Sequence, residues 1–391
     1  MPSFKNFVKY SIKRIISLLL HVFWIFPVKK NKIILINDHS YTFSDNLKYL
    51  SYYLLDKDPK KYNIYYSLKN VNEINDKRIN PIKFNSLTHF FHAITSDILI
   101  TNNSGIVYLP IRKKQLVINT WHGGGPYKVT GDSVFNNFWY ELDMRYNAKK
   151  VDYILSSCRV FSEVEAKGMR YKRRQCINCG TPRLDFFYDN KIVNERRNKI
   201  YKEFNLSEDT RIVLYAPTFR GAFEDYSGVI VDDILEIDYA NVVKSLEESF
   251  GGKWVFAVRL HPRLKDVVFN NEEIINMTFY SDPQELLAAS DALITDYSSI
   301  IWDYSLLKRP CFVFATDIND YEVKRGFYMP PEKWPYPIAS SNEEMINNIK
   351  NYSLEDYLSR LEKHYEESGS YEKGHACKTV KKIIDKHINE A

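Results

Sequence analysis

The chain has 391 residues, 54 Lys and Arg against 49 Asp and Glu, and a formal net charge of +5. Six of the basic residues (Lys5, Lys9, Lys13, Arg14, Lys29, Lys30) and none of the acidic ones fall in residues 1–30, so the other 361 residues hold 48 basic against 49 acidic side chains. Such a nearly neutral body argues against a spread phosphate-neutralising coat, and so against nucleic acid as a partner; 29 Tyr and 23 Phe exclude a disordered chain. Five Cys make no disulfide framework and fit a reducing compartment.

The first element is unusual. Residues 15–28 are an apolar run broken only by Ser17 and His21, short of the roughly 20 residues that span a bilayer. Phe26-Pro27-Val28-Lys29-Lys30 is a poor signal-peptide cleavage site. Upstream, Phe4, Phe7, Val8, Ser11, Ile12, Ile15 and Ile16 recur at helical spacing, with Lys5, Lys9, Lys13 and Arg14 between them. A basic amphipathic helix of this kind can lie in the interface of an anionic membrane, or pack on the protein's own body.

Beyond residue 30, short β-branched or aromatic runs alternate with longer mixed segments. The pattern predicts strands over 32–36, 62–68, 98–101, 116–119 and 153–156. A charged stretch at 191–210 reads as a helix and linker. A second set of strands falls at 212–215, 254–258, 277–280, 292–295 and 312–315, with helices over 283–290 and 300–307 and a helical tail after 353. Strand–helix alternation means parallel sheets with crossover helices. The expected organisation is a membrane-associating segment (1–30), two doubly wound domains (31–195 and 196–352), and C-terminal helices (353–391) that could pack back on the first domain.

In open α/β sheets ligands bind beyond the carboxyl ends of the strands, and four strand ends carry chemically active residues. They are Thr120-Trp121-His122-Gly123-Gly124-Gly125-Pro126-Tyr127-Lys128, Ala216-Pro217-Thr218-Phe219-Arg220, Arg259-Leu260-His261-Pro262 and Asp296-Tyr297-Ser298-Ser299. His122, set before three glycines that let a ligand approach the backbone, suits a general base for a hydroxyl nucleophile. His261, when protonated, could donate to a phosphate. Thr218 and Arg220 offer a hydroxyl and a forked donor for a diphosphate. Arg259 flanks His261, and Asp296, Ser298 and Ser299 open a helix whose N-terminus favours anions. Each has a plainer alternative: a packed turn histidine, a surface ion pair, an ordinary N-cap. Asp45, Lys128 and Asp303 are weaker candidates. The chain has no P-loop, GxGxxG or HExxH, so nothing calls for a nucleotide cofactor or a metal. Cys176 and Cys179 have no second pair and read as packing.

Together these segments resemble the CDP-glycerol glycerophosphotransferase family of teichoic-acid and capsule synthesis. The resemblance runs in order over about residues 95–330 and rests on Trp121-His122-Gly123, Gly180-Thr181-Pro182-Arg183-Leu184-Asp185, Tyr215-Ala216-Pro217-Thr218-Phe219-Arg220, Arg259-Leu260-His261-Pro262, Thr295-Asp296-Tyr297-Ser298-Ser299, Asp303, Lys308-Arg309-Pro310 and Arg325-Gly326-Phe327. The first loop departs from the common Trp-His-Gly-Thr-Pro-Leu-Lys by one added residue before the proline. The resemblance implies a GT-B-like enzyme with a cleft between two Rossmann-like halves, peripheral to the cytoplasmic face of the membrane. It would move a polyol phosphate from CDP-glycerol or CDP-ribitol to a lipid-linked or polymeric glycan acceptor. His122 would be the catalytic base. His261 would be the second catalytic residue, stabilising charge on the donor diphosphate as CMP departs; Thr218, Arg220, Arg259, Asp296, Ser298 and Ser299 would form the donor site, and Gly123, Gly124 and Lys128 would belong to the acceptor loop. A homo-oligomer is compatible with this reading. Bacterial CMP-sugar-dependent sialyltransferases share the His-Pro and paired-Ser motifs, matched by His261-Pro262 and Ser298-Ser299, but their acidic pair followed by Gly has no counterpart here. A membrane-bound scaffold that has lost catalysis is the non-enzymatic alternative.

Overall fold

The strands form where β-branched and leucine-rich runs can be buried on both faces, as parallel sheets require. In order they are β1 (Lys29–Ile36), β2 (Asn63–Leu68), β3 (Ile79–Lys83), β4 (Ser96–Thr101), β5 (Leu116–Asn119), β6 (Tyr153–Ser156) and β7 (Cys176–Asn178), then β8 (Thr210–Tyr215), β9 (Lys253–Val258), β10 (Ile274–Asn276), β11 (Ala292–Thr295), β12 (Cys311–Phe314) and β13 (Ile338–Ala339). The computed structural model describes residues 2–130, 138–218, 235–260, 267, 269 and 271–390. It divides the chain into two units, Met1–Tyr188 with Ser368–Ala391, and Asp189–Glu367.

In the first unit the order is β3-β2-β1-β4-β5-β6-β7, and in the second β10-β9-β8-β11-β12-β13. All pairings in both sheets are parallel. Each unit is thus Rossmann-like, as the strand–helix alternation predicts, and two such units are the components of the GT-B-like fold that the resemblance implies. Each sheet has a point where strand order reverses, between β1 and β4 and between β8 and β11, and loops diverge there to leave a crevice.

Some elements differ from expectation. The strand expected at 277–280 lies earlier, at Ile274–Asn276, because the Asn276 side chain accepts the Thr278 N–H at 3.0 Å and turns the chain. Three further strands, β3, β7 and β13, were not anticipated. β3 contains Pro81, and three of its five residues are exposed, which suits an edge strand. β7 and β13 have three and two residues, too few for a periodic signal.

The N-terminal helix, Pro2–Leu20, lies on the first unit. Arg14 and Lys13 pair with Asp143 of the helix Phe138–Lys150, and the rings of Phe7 and Tyr10 pack at a tilt against Trp139, with centroids 4.7 and 5.5 Å away. Ser17 and Leu20 are buried, whereas Phe4, Ile12, Ile15, Leu18 and Leu19 are exposed, the last two at 70% and 69%. Among the described residues no helix is long and apolar enough to cross a membrane.

The chain's last helix, Ala376–Glu390, completes the first unit's core. Its Ala376, Cys377, Val380, Ile384 and Ile388 pack with Leu47, Leu50 and Leu54 of the helix Asp45–Lys57. Burying each of the valine, leucine and isoleucine side chains among these contributes roughly 1.5–3 kcal/mol. The Gly180–Asp185 motif anchors this return. The buried Glu372 accepts the Thr181 N–H at 2.9 Å and the Thr181 hydroxyl. Gly180 takes φ +80°, and a Cβ there would lie 2.5 Å from the Glu372 carboxylate. The Asp185 carboxylate accepts the N–H groups of Ala376 and Cys377 at 2.9 and 2.8 Å, capping the helix from outside. Asp185→Ala is expected to destabilise the protein by about 1–2 kcal/mol, read as a lower urea midpoint with an unchanged slope; an unchanged midpoint would show that the cap contributes nothing.

Candidate active site

At the first unit's reversal point, β1 ends in Asn37-Asp38-His39, β4 in Asn102-Asn103, and the neighbouring β5 in Thr120-Trp121-His122. Trp121 sits at φ +54°, a conformation unfavourable for a bulky residue and maintained only when its surroundings impose it. Its N–H is held by the Asn119 side chain at 2.8 Å, its carbonyl by Asn46 at 2.9 Å, and its indole N–H by Glu165 at 3.2 Å. Of the three glycines that follow His122, Gly125 takes a positive φ, +67°, and its N–H points to the Ser157 hydroxyl at 3.4 Å.

This loop geometry fixes His122. Its Nδ1 lies 2.8 Å from the Asn102 carbonyl oxygen. A carbonyl can only accept, so Nδ1 carries the hydrogen and Nε2 presents a lone pair. His39 stacks on the ring at 3.8 Å with planes 10° apart. Burial pushes the His122 pKa well below the usual histidine range, and the positive charges of His39, Arg183 and Lys128 add to this; the Asn102 bond opposes it. The His39 pKa is also lowered, first by burial and then by Arg183 and Lys128, with Asp45 acting the other way. The result is a neutral imidazole with a defined tautomer.

Behind the two rings lies a buried polar network. Arg183, 2% exposed, donates to Asp45 Oδ1 at 3.0 Å. Asn102 Nδ2 donates to Asp45 Oδ2 at 2.7 Å and to the Asn37 side-chain oxygen at 3.0 Å. The Arg183 N–H donates to Asn46 Oδ1 at 3.1 Å. Asp38 accepts from the Thr101 hydroxyl and the Gly105 N–H, each at 2.5 Å, and burial raises its pKa to about 6.

At the second unit's reversal point, the buried Asp296 at the end of β11 joins two loops. It accepts the Thr218 N–H at 2.9 Å, the Thr218 hydroxyl at 2.6 Å and the Ser298 N–H at 3.2 Å. The Thr295 hydroxyl ties the same loops through the Ala216 carbonyl at 2.6 Å. Ser298 and Ser299 are half-buried, and Ser299 makes no side-chain cap to the six-residue helix Ile300–Ser305 that follows. Arg259 Nη1 donates to the Tyr280 carbonyl at 2.6 Å, and burial lowers its pKa to about 10.

The structure therefore sorts the expected site residues. His122, Gly123, Gly124 and Lys128 belong to the first unit's loop, where Lys128 acts on both histidines through its charge. Thr218, Asp296, Ser298 and Ser299 come together in the second unit. Asp296 works as an internal brace, and the Arg259 guanidinium closes the turn after β10. Arg220 and His261 lie outside the described residues. Asp303 is buried and accepts from Gln284 at 3.2 Å, and Arg309 of the Lys308-Arg309-Pro310 motif donates to the Ala288 and Ser290 carbonyls. Sequence reasoning missed His39, Asn102 and the Asn37 and Asn46 side chains. For Asn37, His39 and Asn102 the signal was the same as for the other four loops, a polar cluster directly after an apolar strand, at the ends of β1 and β4; Asn46, in the helix Asp45–Lys57, carried none. Removing one partner of a buried pair leaves an uncompensated charge. Asp45→Ala should therefore cost about 3–5 kcal/mol in denaturant unfolding, with part of the loss recovered in Asp45→Ala/Arg183→Met; a loss below 1 kcal/mol would contradict the role given to this pair.

A sequence model described as CDP-glycerol:poly(glycerophosphate) glycerophosphotransferase matches residues 18–386. The teichoic acid poly(glycerol phosphate) polymerase of Staphylococcus epidermidis is 28% identical over 366 residues, covering 89% of this chain and 49% of that protein. The chain spans about half the length of this and another of the curated relatives it matches. A poly(glycerol phosphate) polymerase of Bacillus spizizenii is 27% identical over 403 residues, 96% of this chain and 98% of that one. Among solved structures, the wall teichoic acid polymerase TagF superposes with a TM-score of 0.84 at 25% identity, over 100% of this chain and 98% of that one. With the match running through both sheets and both reversal-point loops, the chain belongs to the CDP-glycerol:poly(glycerophosphate) glycerophosphotransferase family.

Proposed function

We propose that the protein transfers a polyol phosphate, glycerol phosphate foremost, from a CDP-polyol to a hydroxyl of a lipid-linked or polymeric glycan acceptor, in teichoic acid or capsule synthesis. The observation that carries this reading is the 2.8 Å contact from His122 Nδ1 to the Asn102 carbonyl, which leaves Nε2 as the acceptor of a proton. The acceptor hydroxyl oxygen attacks the polyol-bearing β-phosphorus, its proton passes to His122 Nε2, the bond from that phosphorus to the bridging oxygen breaks, and CMP leaves with the electron pair. Transfer of this kind depends mainly on positioning and charge stabilisation. In this reading Thr218, Ser298 and Ser299, with Arg220 and His261 by motif match, bind the donor diphosphate. Asp296 and Arg259 hold the loops that present them.

His122→Ala should lower kcat about 10²–10⁴-fold, the usual contribution of a general base, measured as CMP release from CDP-glycerol or CDP-ribitol with a glycan-lipid acceptor. Near-wild-type release would end the assignment. The sign of the pH dependence follows from the depressed pKa. The base form persists as pH falls through the ordinary histidine value of about 6.5, and the rate drops only at lower pH, where the ring finally protonates. An acid limb of kcat/KM at or above that value, absent in His122→Ala, would contradict the environment described.

Membrane attachment forms part of the proposal. The exposed apolar residues of the helix Pro2–Leu20 and of His21–Ile25, flanked by Lys9, Lys29 and Lys30, suit a helix lying in the interface of an anionic membrane on its cytoplasmic face. Leu18→Glu/Leu19→Glu changes two exposed positions, so folding should be kept while co-sedimentation with phosphatidylglycerol vesicles falls at least tenfold, since each buried CH₂ group contributes about 0.8 kcal/mol. Unchanged sedimentation would remove the helix from the interface.

A further inference from the structure

A cavity of about 690 Å³ opens on the first unit, lined by Arg145 and Lys149 of the helix Phe138–Lys150, by Asp152 at the start of β6, and by Arg170, Lys172 and Arg174 before β7. It lies at the amino ends of β6 and β7. The loop of His122 meets β6 at its other end, where Gly125 contacts Ser157, and four strand residues separate the two ends by about 13 Å. The cavity is thus distinct from the reversal-point crevice.

Its charge is out of proportion to the body around it, which beyond residue 30 holds 48 basic and 49 acidic residues. Five cations line it against one carboxylate. Glu141, beside it, accepts from Arg145 at 2.7 Å and from Arg170 at 3.0 Å, so one more charge is offset. The cationic groups of Lys149, Lys172 and Arg174 have no carboxylate partner among the described residues, and these three residues are exposed. Uncompensated charge packed this closely repels itself and is relieved by a ligand carrying several negative charges. A single phosphate would balance only part of it. A chain of phosphodiesters, one charge per unit, would balance all of it in sequence, with guanidinium forks matching the phosphate oxygens. The lining includes none of the large apolar side chains that are exposed elsewhere, so it lacks what insertion between lipid tails requires.

We propose that this cavity is a second anion site that holds the phosphodiester backbone of the poly(polyol phosphate) chain, away from the point of transfer. The proposal rests on the reading of the acceptor given above. Holding the product raises its effective concentration at the catalytic loop after each addition.

The test uses the full chain and a fluorescently labelled synthetic glycerol phosphate oligomer, with binding followed by anisotropy over a range of salt concentrations. Lys149→Glu/Lys172→Glu/Arg174→Glu should bind the oligomer at least about tenfold more weakly and with a shallower dependence on salt, because fewer counterions are released. Lys191→Glu/Lys202→Glu/Lys253→Glu, exposed lysines of the second unit, alters net charge equally and should bind as the wild type does. Equal weakening in both variants, or none in the first, overturns the proposal. So does a first variant that loses phosphatidylglycerol vesicles while keeping the oligomer, since the ligand would then be a lipid headgroup. Wild-type CMP release is followed in parallel. Its absence would overturn the transferase reading, whereas unchanged oligomer binding overturns the cavity alone.

Discussion

A guanidinium that is almost wholly buried needs a carboxylate, and Arg183 finds one in Asp45 at 3.0 Å. Much of the first unit's reversal point is built on that pair. Asp45 also takes the amide of Asn102, and the Asn102 carbonyl holds His122 Nδ1. The Arg183 backbone bonds Asn46, whose amide holds the Trp121 carbonyl and so the strained turn before His122. Isolated in the interior, either charge would be costly; paired and hydrogen-bonded, the two fix the tautomer of an imidazole two contacts away.

The second unit solves a similar problem with one carboxylate. Asp296 is buried, and it accepts from donors on two loops that follow different strands. The bonds from Thr218 tie one loop to the other, and the bond from the Ser298 N–H closes a turn within the loop after β11. The half-buried hydroxyls of Ser298 and Ser299 are presented as a consequence. In both units a hydrogen-bonded carboxylate holds the loops that carry the candidate groups.

Much of this was legible in the sequence. Apolar runs such as residues 116–119 and 292–295 gave strands at the same positions in the structure, because a strand buried on both faces has few alternatives. The loops carrying His122 and Ser298 stood out because polar and glycine residues directly follow such runs. The edge strands did not, since β3, β7 and β13 are short or polar and form only because a neighbouring strand offers its free backbone groups. Gly180-Thr181-Pro182-Arg183-Leu184-Asp185 stood out as a motif, yet its work is largely structural: Thr181 and Asp185 hold the returning tail and Arg183 the network behind His122. The conformational freedom expected of the glycines after His122 is used at Gly125, while Trp121 takes a positive φ without being glycine.

By itself the sequence determined the two parallel α/β units, the basic and apolar N-terminal helix, and the residue types available for phosphate chemistry, because hydrophobic period and strand-end composition are local properties. Tertiary structure alone decided which of those residues meet. His39 stacks on His122, Asn102 selects its tautomer, and the C-terminal helix returns across almost the whole chain to close the first core. Those contacts join residues 20 to more than 300 positions apart, and no local pattern encodes a pairing that exists only once the sheets have formed.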